Sequence, residues 1–301
     1  MSGLASNSEV INTKCGICLN PTFMCKCDTS WSYFDKIVNG SCNGGNKNDV
    51  SYTPLQISTM TICFNFNQQI NLKLLKEKLP ESLTVNYSPG SKKSKVPKKK
   101  GTDSFYNSFD IKITIKDHEK NIYSNVSIFI FPNGKAKAAG VKTINTIHSL
   151  IEEMIEIVKY VPDTVENPET LGVENIKIDM ICSDFKIKPV KEDPDGWCIK
   201  QENLKNILVD KYNYSATFSS LSRYPGINLK INSVVDPNKQ ISLLIFRSGS
   251  IIITGGKNAK DLANCYNIIT DTIIKNSSTL FYYDINEEIK QKKKKKNLIK
   301  K

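Results

Sequence analysis

Histidine is scarce in this chain, with His118 and His148 the only two in 301 residues. His118 sits in a polar turn and His148 within a helical pattern. Neither joins a cysteine or carboxylate constellation, so general-base chemistry has little to work with. Long apolar runs are also lacking. No window reaches the roughly 18 consecutive apolar residues of a membrane span, and the N-terminus has neither the charged start nor the apolar core of a signal peptide. These absences predict a soluble, intracellular protein that is not secreted and has no membrane partner. A phosphate loop is missing too: "TGGKN" (residues 254–258) has Ile251 at the leading glycine position and Asn258 where a hydroxyl is needed. Glu152 and Glu153 read as solvated carboxylates on a helix, and no enzyme reading rises above background.

What the chain has in excess is positive charge. Its 42 Lys and Arg against 30 Asp and Glu give a net +12 and a pI near 9.1. That balance points to an anionic partner, most simply nucleic acid, with an anionic membrane surface as the alternative. Much of the excess is local, in "SKKSKVPKKKG" (residues 91–101) and the tail "KQKKKKKNLIKK" (residues 290–301). Such runs are usually solvated segments, yet they add salt-sensitive attraction to phosphates. The 9 cysteines of an intracellular protein read as thiols or metal ligands. "KCGICLNPTFMCKC" places Cys15, Cys18, Cys25 and Cys27 at a spacing that suits a closed tetrahedral zinc site, with Cys42 as a substitute ligand. Free thiols in a tail are the alternative. Cys63, Cys182, Cys198 and Cys265 are scattered and read as core or surface residues.

The periodicity divides the chain into an N-terminal extension (1–53), a first repeat (54–163, with a basic insertion at about 85–104), a second repeat (172–280) and a lysine-rich tail (281–301). In the first repeat "ISTMTICFNF" reads as a strand and "NLKLLKEKL" as a short helix. "FDIKITIK" alternates as a half-buried strand does, and "VSIFIF" with "GKAKAAG" forms a hairpin. Ile144, Ile147, Ile151, Met154, Ile155 and Val158 then fall at helical spacing. The second half replays this order with "VENIKIDMIC", the helix "QENLKNILVDKY", "INLKIN", the hairpin "ISLLIF"/"SIIITGG" and a closing helix. A shift of 115 residues superposes Ser127 on Ser242, Ile130 on Ile245, Phe131 on Phe246, Gly134 on Gly249, Gly140 on Gly255 and Lys142 on Lys257 without a gap. Identities spread through strand, turn and helix indicate a tandem duplication. Each repeat would lay one row of strand side chains under its long helix and leave the other row facing outward. In the second repeat that outward row includes Leu244, Phe246, Ile252 and Thr254. An open apolar sheet face marks an interaction surface, unless a third layer or a dimer partner covers it.

The units ending "IFIFPNGKAKAAGVK" and "LLIFRSGSIIITGGK" resemble the two direct repeats of the TATA-box-binding protein family, each of which carries an "LIF-x-SGK-x-x-x-TGAK" hairpin before a long helix. "RYPG" (residues 223–226) is similar to the family's "LFPG", "VENI" (residues 173–176) to its "IQNI", and "PLQISTMTI" to the opening of its first repeat. The likeness covers about residues 54–275 and is more specific in the second repeat. It implies an α+β fold, a saddle of two direct repeats whose curved antiparallel sheet carries its helices on the convex face. It also implies a transcription initiation factor that binds and bends A·T-rich duplex DNA through the minor groove, as that family does. The implied partners are duplex DNA, a general transcription factor B-like protein and RNA polymerase machinery. The implied compartment is the nucleus, or a cytoplasmic virus factory or virion if the source is a large DNA virus, which the Lys-, Asn- and Ile-rich usage would suit.

By the same resemblance, Phe246 and Tyr224 match intercalating phenylalanines of the second repeat and Phe131 one of the first. The fourth falls on Phe109 with a one-residue gap, or on Tyr106. Asn175 matches an asparagine that bonds base acceptors, and its first-repeat counterpart falls on Leu55. Leu244, Ile252 and Thr254 match groove-contacting positions, whose first-repeat counterparts are Phe129, Lys137 and Ala139. Lys177 replaces a groove-facing valine, and Arg247 would lie near the phosphates. The acidic stretch that the family offers its factor B reads "SLSR" here, residues 220–223, so a contact of the usual charge is in doubt. The second reading is a non-catalytic interaction protein whose sheet binds protein or single-stranded nucleic acid, its aromatics acting as stacking platforms.

Overall fold

The structure is a computed structural model and describes residues 42–79, 84–87, 107–117, 121–191, 196–221, 225–289 and 292. Along the chain, two three-residue strands, β1 (Gly45–Lys47) and β2 (Val50–Tyr52), precede β3 (Gln56–Phe66), helix α1 (Leu72–Lys78) and β4 (Thr84–Tyr87). Next come β5 (Phe109–Asp117), β6 (Ile122–Ile130), β7 (Lys135–Val141), helix α2 (Asn145–Tyr160) and the 17-residue strand β8 (Val173–Pro189). β9 (Trp197–Ile199), helix α3 (Gln201–Asn206), β10 (Ser215–Thr217), β11 (Gly226–Asn232), β12 (Gln240–Phe246) and β13 (Ser250–Gly256) follow. Helix α4 (Ala259–Lys275), the short α5 (Ser277–Leu280) and β14 (Phe281–Tyr283) complete the order. The architecture is α+β, its strand pairs antiparallel throughout the registered ladders. Among the described residues no helix is long and apolar enough to cross a membrane.

Two compact units divide the chain. Residues 59–180 form the first; residues 42–58 and those from 181 onward form the second. In the first unit β3 pairs with β7, β7 with β6, β6 with β5 and β5 with β4. The alternation in β6 places Val126, Ile128 and Ile130 in the core, and β7 adds Ala136 and Ala138. α2 packs over β5. Its buried stripe is Ile147, Leu150, Ile151, Met154, Ile157 and Val158. The sequence expectation set this stripe slightly off axis: Ile144 and Ile155 are only half-buried, while Leu150 and Ile157 are covered. The helix begins where the Thr143 hydroxyl accepts the Thr146 amide at 3.4 Å, a side-chain cap for an otherwise orphaned donor.

The second unit orders its strands β10–β11–β12–β13–β8, and β2 adds to β8 through Tyr52↔Ile187 and Val50↔Pro189. Leu243, Ile245, Ile251 and Ile253 are fully buried beneath α4, whose Leu262, Cys265, Tyr266, Ile269 and Ile273 recur at helical spacing. Each large aliphatic side chain so covered stabilises the fold by about 1.5–3 kcal/mol. α4 is capped by Asn258, which accepts the Asp261 amide at 2.9 Å. Buried Asp261 in turn accepts from the Ser233 hydroxyl, the Val234 amide at 2.8 Å and the Asn258 amide nitrogen at 2.8 Å. Both oxygens of this carboxylate are therefore hydrogen-bonded, as burial requires.

Residues 42–55 differ from the unpatterned extension expected there. β1 and β2 meet through Asn48 and Asp49, with φ 48° and 59°, two left-handed residues as a tight hairpin turn needs. The Tyr266 hydroxyl accepts the Gly44 amide and donates to the Thr53 carbonyl at 2.8 Å, tying this segment to α4. Cys42 is fully buried there, and burial pushes its thiol up to about 12. Cys15, Cys18, Cys25 and Cys27 lie outside the described residues.

The two hairpin tips share one backbone device. Gly134 and Gly249 both have φ of 79°, and each donates to the carbonyl of the phenylalanine three residues earlier, Phe131 and Phe246, at 3.0 Å. Each glycine carbonyl accepts from the neighbouring strand, from the Phe66 amide at 2.8 Å and the Ile187 amide at 2.9 Å. A Cβ on Gly249 would stand 2.0 Å from the Ile187 carbonyl oxygen, and one on Gly134 would stand 2.4 Å from that of Gln68. Gly255 also has positive φ, but the nearest atom to an added Cβ is 3.8 Å away. Gly249→Ala is therefore expected to cost about 3 kcal/mol or more, whereas Gly255→Ala costs about 1 kcal/mol for its backbone conformation alone. Urea denaturation midpoints check this, and equal losses at the two sites would contradict it.

Candidate nucleic-acid interface

Strand alternation decides which side chains can meet a partner. In the second unit Ser242, Leu244 and Phe246 of β12 are half-buried and face away from the core that Leu243 and Ile245 fill. β13 presents Ile252 and Thr254 on the same face, with Ile252 opposite Leu244 and Thr254 opposite Ser242. β11 contributes Asn228 opposite Leu244 and Lys230 opposite Ser242. β8 adds Cys182, Asp184 and Lys186. The result is an apolar strip with a hydroxyl row and lysines beside it. Thr254 lies 3.2 Å from the Cys182 thiol, and the Lys230 ammonium donates to Ser242 at 2.5 Å. Asp184 accepts from the Ser58 hydroxyl and places one acid on this face.

Asn228 and Lys230 were missed as site residues, although the alternation of "INLKIN" signals them. The Asn228 side-chain carbonyl oxygen is buried and has no hydrogen-bond partner among the described residues. Phe246 stands at the strand end, directly opposite Gly226. A Cβ on Gly226 would approach the Phe246 ring to 3.2 Å, so the absence of a side chain there makes room for the ring. Tyr224, expected beside it, lies outside the described residues.

Arg247, expected near phosphates, is engaged within its own unit. The residue after Phe246 alternates to the other face. There its guanidinium pairs with the Asp284 carboxylate and sits 5.5 Å above the centre of the Tyr282 ring.

The outer face of the first unit has another character. Phe129 is half-buried on it, but its cross-strand neighbours are Asp110 and Lys137. Ser108 donates to Asp110 at 2.8 Å, while burial raises the Asp110 carboxyl above its ordinary range. Lys137 is paired with Asp179 at 3.5 Å, and Ala139 follows on the same row. Phe131 is half-buried at the hairpin start, in the same backbone frame as Phe246. Phe109 does not belong to this face. It is fully buried at the head of β5, where the inward positions are Phe109, Ile111 and Ile115, so the fourth aromatic wedge expected there is corrected to a core residue. The competing Tyr106 lies outside the described residues. Leu55 is likewise buried.

Asn175 and Lys177 are exposed on the first half of β8, which clusters with the first unit. Asn175 has φ of 53°, a left-handed conformation that asparagine tolerates better than most residues. It breaks the alternation, so that Glu174 and Asn175 are both exposed between buried Val173 and Ile176.

Residues 203–276 match the family model for "Transcription factor TFIID (or TATA-binding protein, TBP)". A "TATA-box-binding protein-like" protein of Acanthamoeba polyphaga mimivirus is 26% identical over 235 residues, covering 70% of this chain and 63% of its own length. The chain thus spans somewhat less than two thirds of that relative. The "TATA-box-binding protein" of Methanocaldococcus jannaschii is 28% identical over 151 residues, 49% of this chain and 68% of the archaeal one. A solved structure of Methanococcus jannaschii TBP aligns with a TM-score of 0.45 at 19% identity, covering 74% of this chain and 98% of that one. The span matched by the family model includes the hairpin of the second unit, and the chain is similar in sequence to TATA-box-binding proteins at 26–28% identity.

Proposed function

We propose that the chain is a transcription initiation factor that binds A·T-rich duplex DNA in the minor groove, bends it, and thereby helps to recruit RNA polymerase machinery. The observation that carries this reading is the half-exposed row Leu244, Phe246, Ile252 and Thr254, set on a rigid hairpin and flanked by Lys186 and Lys230. In the minor groove A·T base pairs present no donor, so an apolar face leaves no groove donor unmatched there, as it would at the amino group of guanine. An aromatic at the strand end can enter a base step, and the unstacking cost is offset by the wrapped contact. The flanking lysines supply phosphate attraction without sequence information.

In this reading Phe246 and Tyr224 are the wedges of the second repeat and Phe131 that of the first. Asn175 offers its amide to base acceptors. Phe129, Lys137 and Lys177 act mainly through charge and contact area, and Asp110 and Asp179 temper that charge. The first repeat therefore holds DNA more loosely. A docking factor would not rely on acidic residues at 220–223, where this chain has "SLSR".

Mobility-shift and ring-closure assays on A·T-rich duplex, G·C-rich duplex and single strands test the reading. The expected result is binding with bending of the A·T-rich duplex in preference to the other two, lost as salt rises. Replacing Phe246 and Tyr224 together by Ala is expected to abolish the bend. A strong preference for single strands would favour stacking on the same aromatics instead.

A further inference from the structure

Phe246 is held from its far side by a segment of the chain that follows α4. β14 pairs with β9 through Phe281↔Ile199, Tyr282↔Cys198 and Tyr283↔Trp197. The ladder is closed at both ends, where the Lys200 amide donates to Leu280 and the Asp284 amide to Gly196, each at 2.8 Å. Tyr283 packs edge-on against Trp197 with ring centres 5.7 Å apart. From this ladder and the start of α3, contacts reach the residues on either side of Phe246. The Ile199 amide donates to the Arg247 carbonyl at 2.8 Å. The Gln201 side chain donates to the Ile245 carbonyl at 3.1 Å and to the Pro225 carbonyl at 2.8 Å. The Arg247 guanidinium pairs with the Asp284 carboxylate and also sits over the Tyr282 ring, and the Asp284 side chain is only 20% exposed.

Resting on the proposed DNA-bending role, we infer that Asp284 is a positioning residue for the Phe246 wedge, acting through Arg247. A planar guanidinium held by both a carboxylate and an aromatic ring has less freedom than a solvated one. Arg247 is bonded to Phe246, so fixing the arginine fixes the end of the strand. The Gly249 amide and the Ile187 amide fix the turn that follows. The ring on the outer face is thus preorganised, and a wedge that is already aimed loses less entropy on insertion. The same contact accounts for the arginine being turned away from the face that would meet phosphates.

The test uses the full chain with Asp284→Asn, and with Asp284→Glu as the conservative rescue. In the free protein, Asp284→Asn is expected to accelerate hydrogen exchange of the Ile199, Ile187 and Gly249 amides about three- to fivefold, the scale of a partly exposed ion pair. On an A·T-rich duplex the bent fraction should fall by a similar factor, the salt dependence should stay unchanged, and Asp284→Glu should restore both readouts. If Asp284→Asn unfolds the chain, the exchanged pair Arg247→Glu with Asp284→Arg takes its place, and recovery of exchange protection supports the brace. Unchanged exchange and bending would overturn the inference. So would tighter binding with a salt slope steeper by about one phosphate contact, because Asp284 would then be competing with DNA for Arg247. If the unsubstituted chain bends no duplex, the DNA-bending reading fails, and the exchange measurement alone decides whether the brace exists.

Discussion

The close approach of Gly249 to the Ile187 carbonyl is the constraint on which the second unit's outer face depends. A left-handed residue without a Cβ lets the β12–β13 turn fold tightly enough for its carbonyl to accept the Ile187 amide. The turn is thereby joined to β8, and the strand entering it must end at Phe246. Gly134 does the same for Phe131 in the first unit. Two aromatics of unlike surroundings thus share one backbone frame, and the frame comes from glycine geometry.

Around that shared frame the side chains have diverged. Behind Phe246 the outer row of the second unit holds Leu244, Ile252 and Thr254, while the counterpart row behind Phe131 holds Phe129, Lys137 and Ala139, with Asp110 opposite Phe129. Apolar contact is insensitive to salt and suits a groove floor, whereas paired charges contribute little when exposed. A protein built this way would grip DNA by its second repeat and use its first for alignment. The paired Lys137 and Asp179 illustrate the point, since the lysine's charge is already partly answered within its own unit.

Much of the fold was legible because two periods dominate the chain. The apolar runs "ISLLIF" and "SIIITGG" on either side of a short turn mark the hairpin, and the 3.6-residue spacing marks α2 and α4. The short strands escaped notice. β1, β2, β9 and β14 have three residues each, too few for a period of two to show. For the same reason the brace on Arg247 could not be read from sequence, because it depends on Asp284 being delivered by a ladder 37 residues further on. Phe109 went wrong through register. It pairs with Ile130 as Ile227 pairs with Ile245, so it takes the place of a buried residue three positions beyond Tyr224, and an odd offset exchanges faces. Asn175 was found by likeness alone, since its left-handed backbone breaks the alternation around it.

The central claim is that Phe246 enters a base step of bound DNA. The most direct measurement places 2-aminopurine at successive positions of an A·T-rich duplex and follows its fluorescence as the protein binds. A rise at one or two adjacent positions is expected with the unsubstituted chain, and none there with Phe246→Ala. Binding without any such rise, or the same rise with the alanine variant, would contradict it.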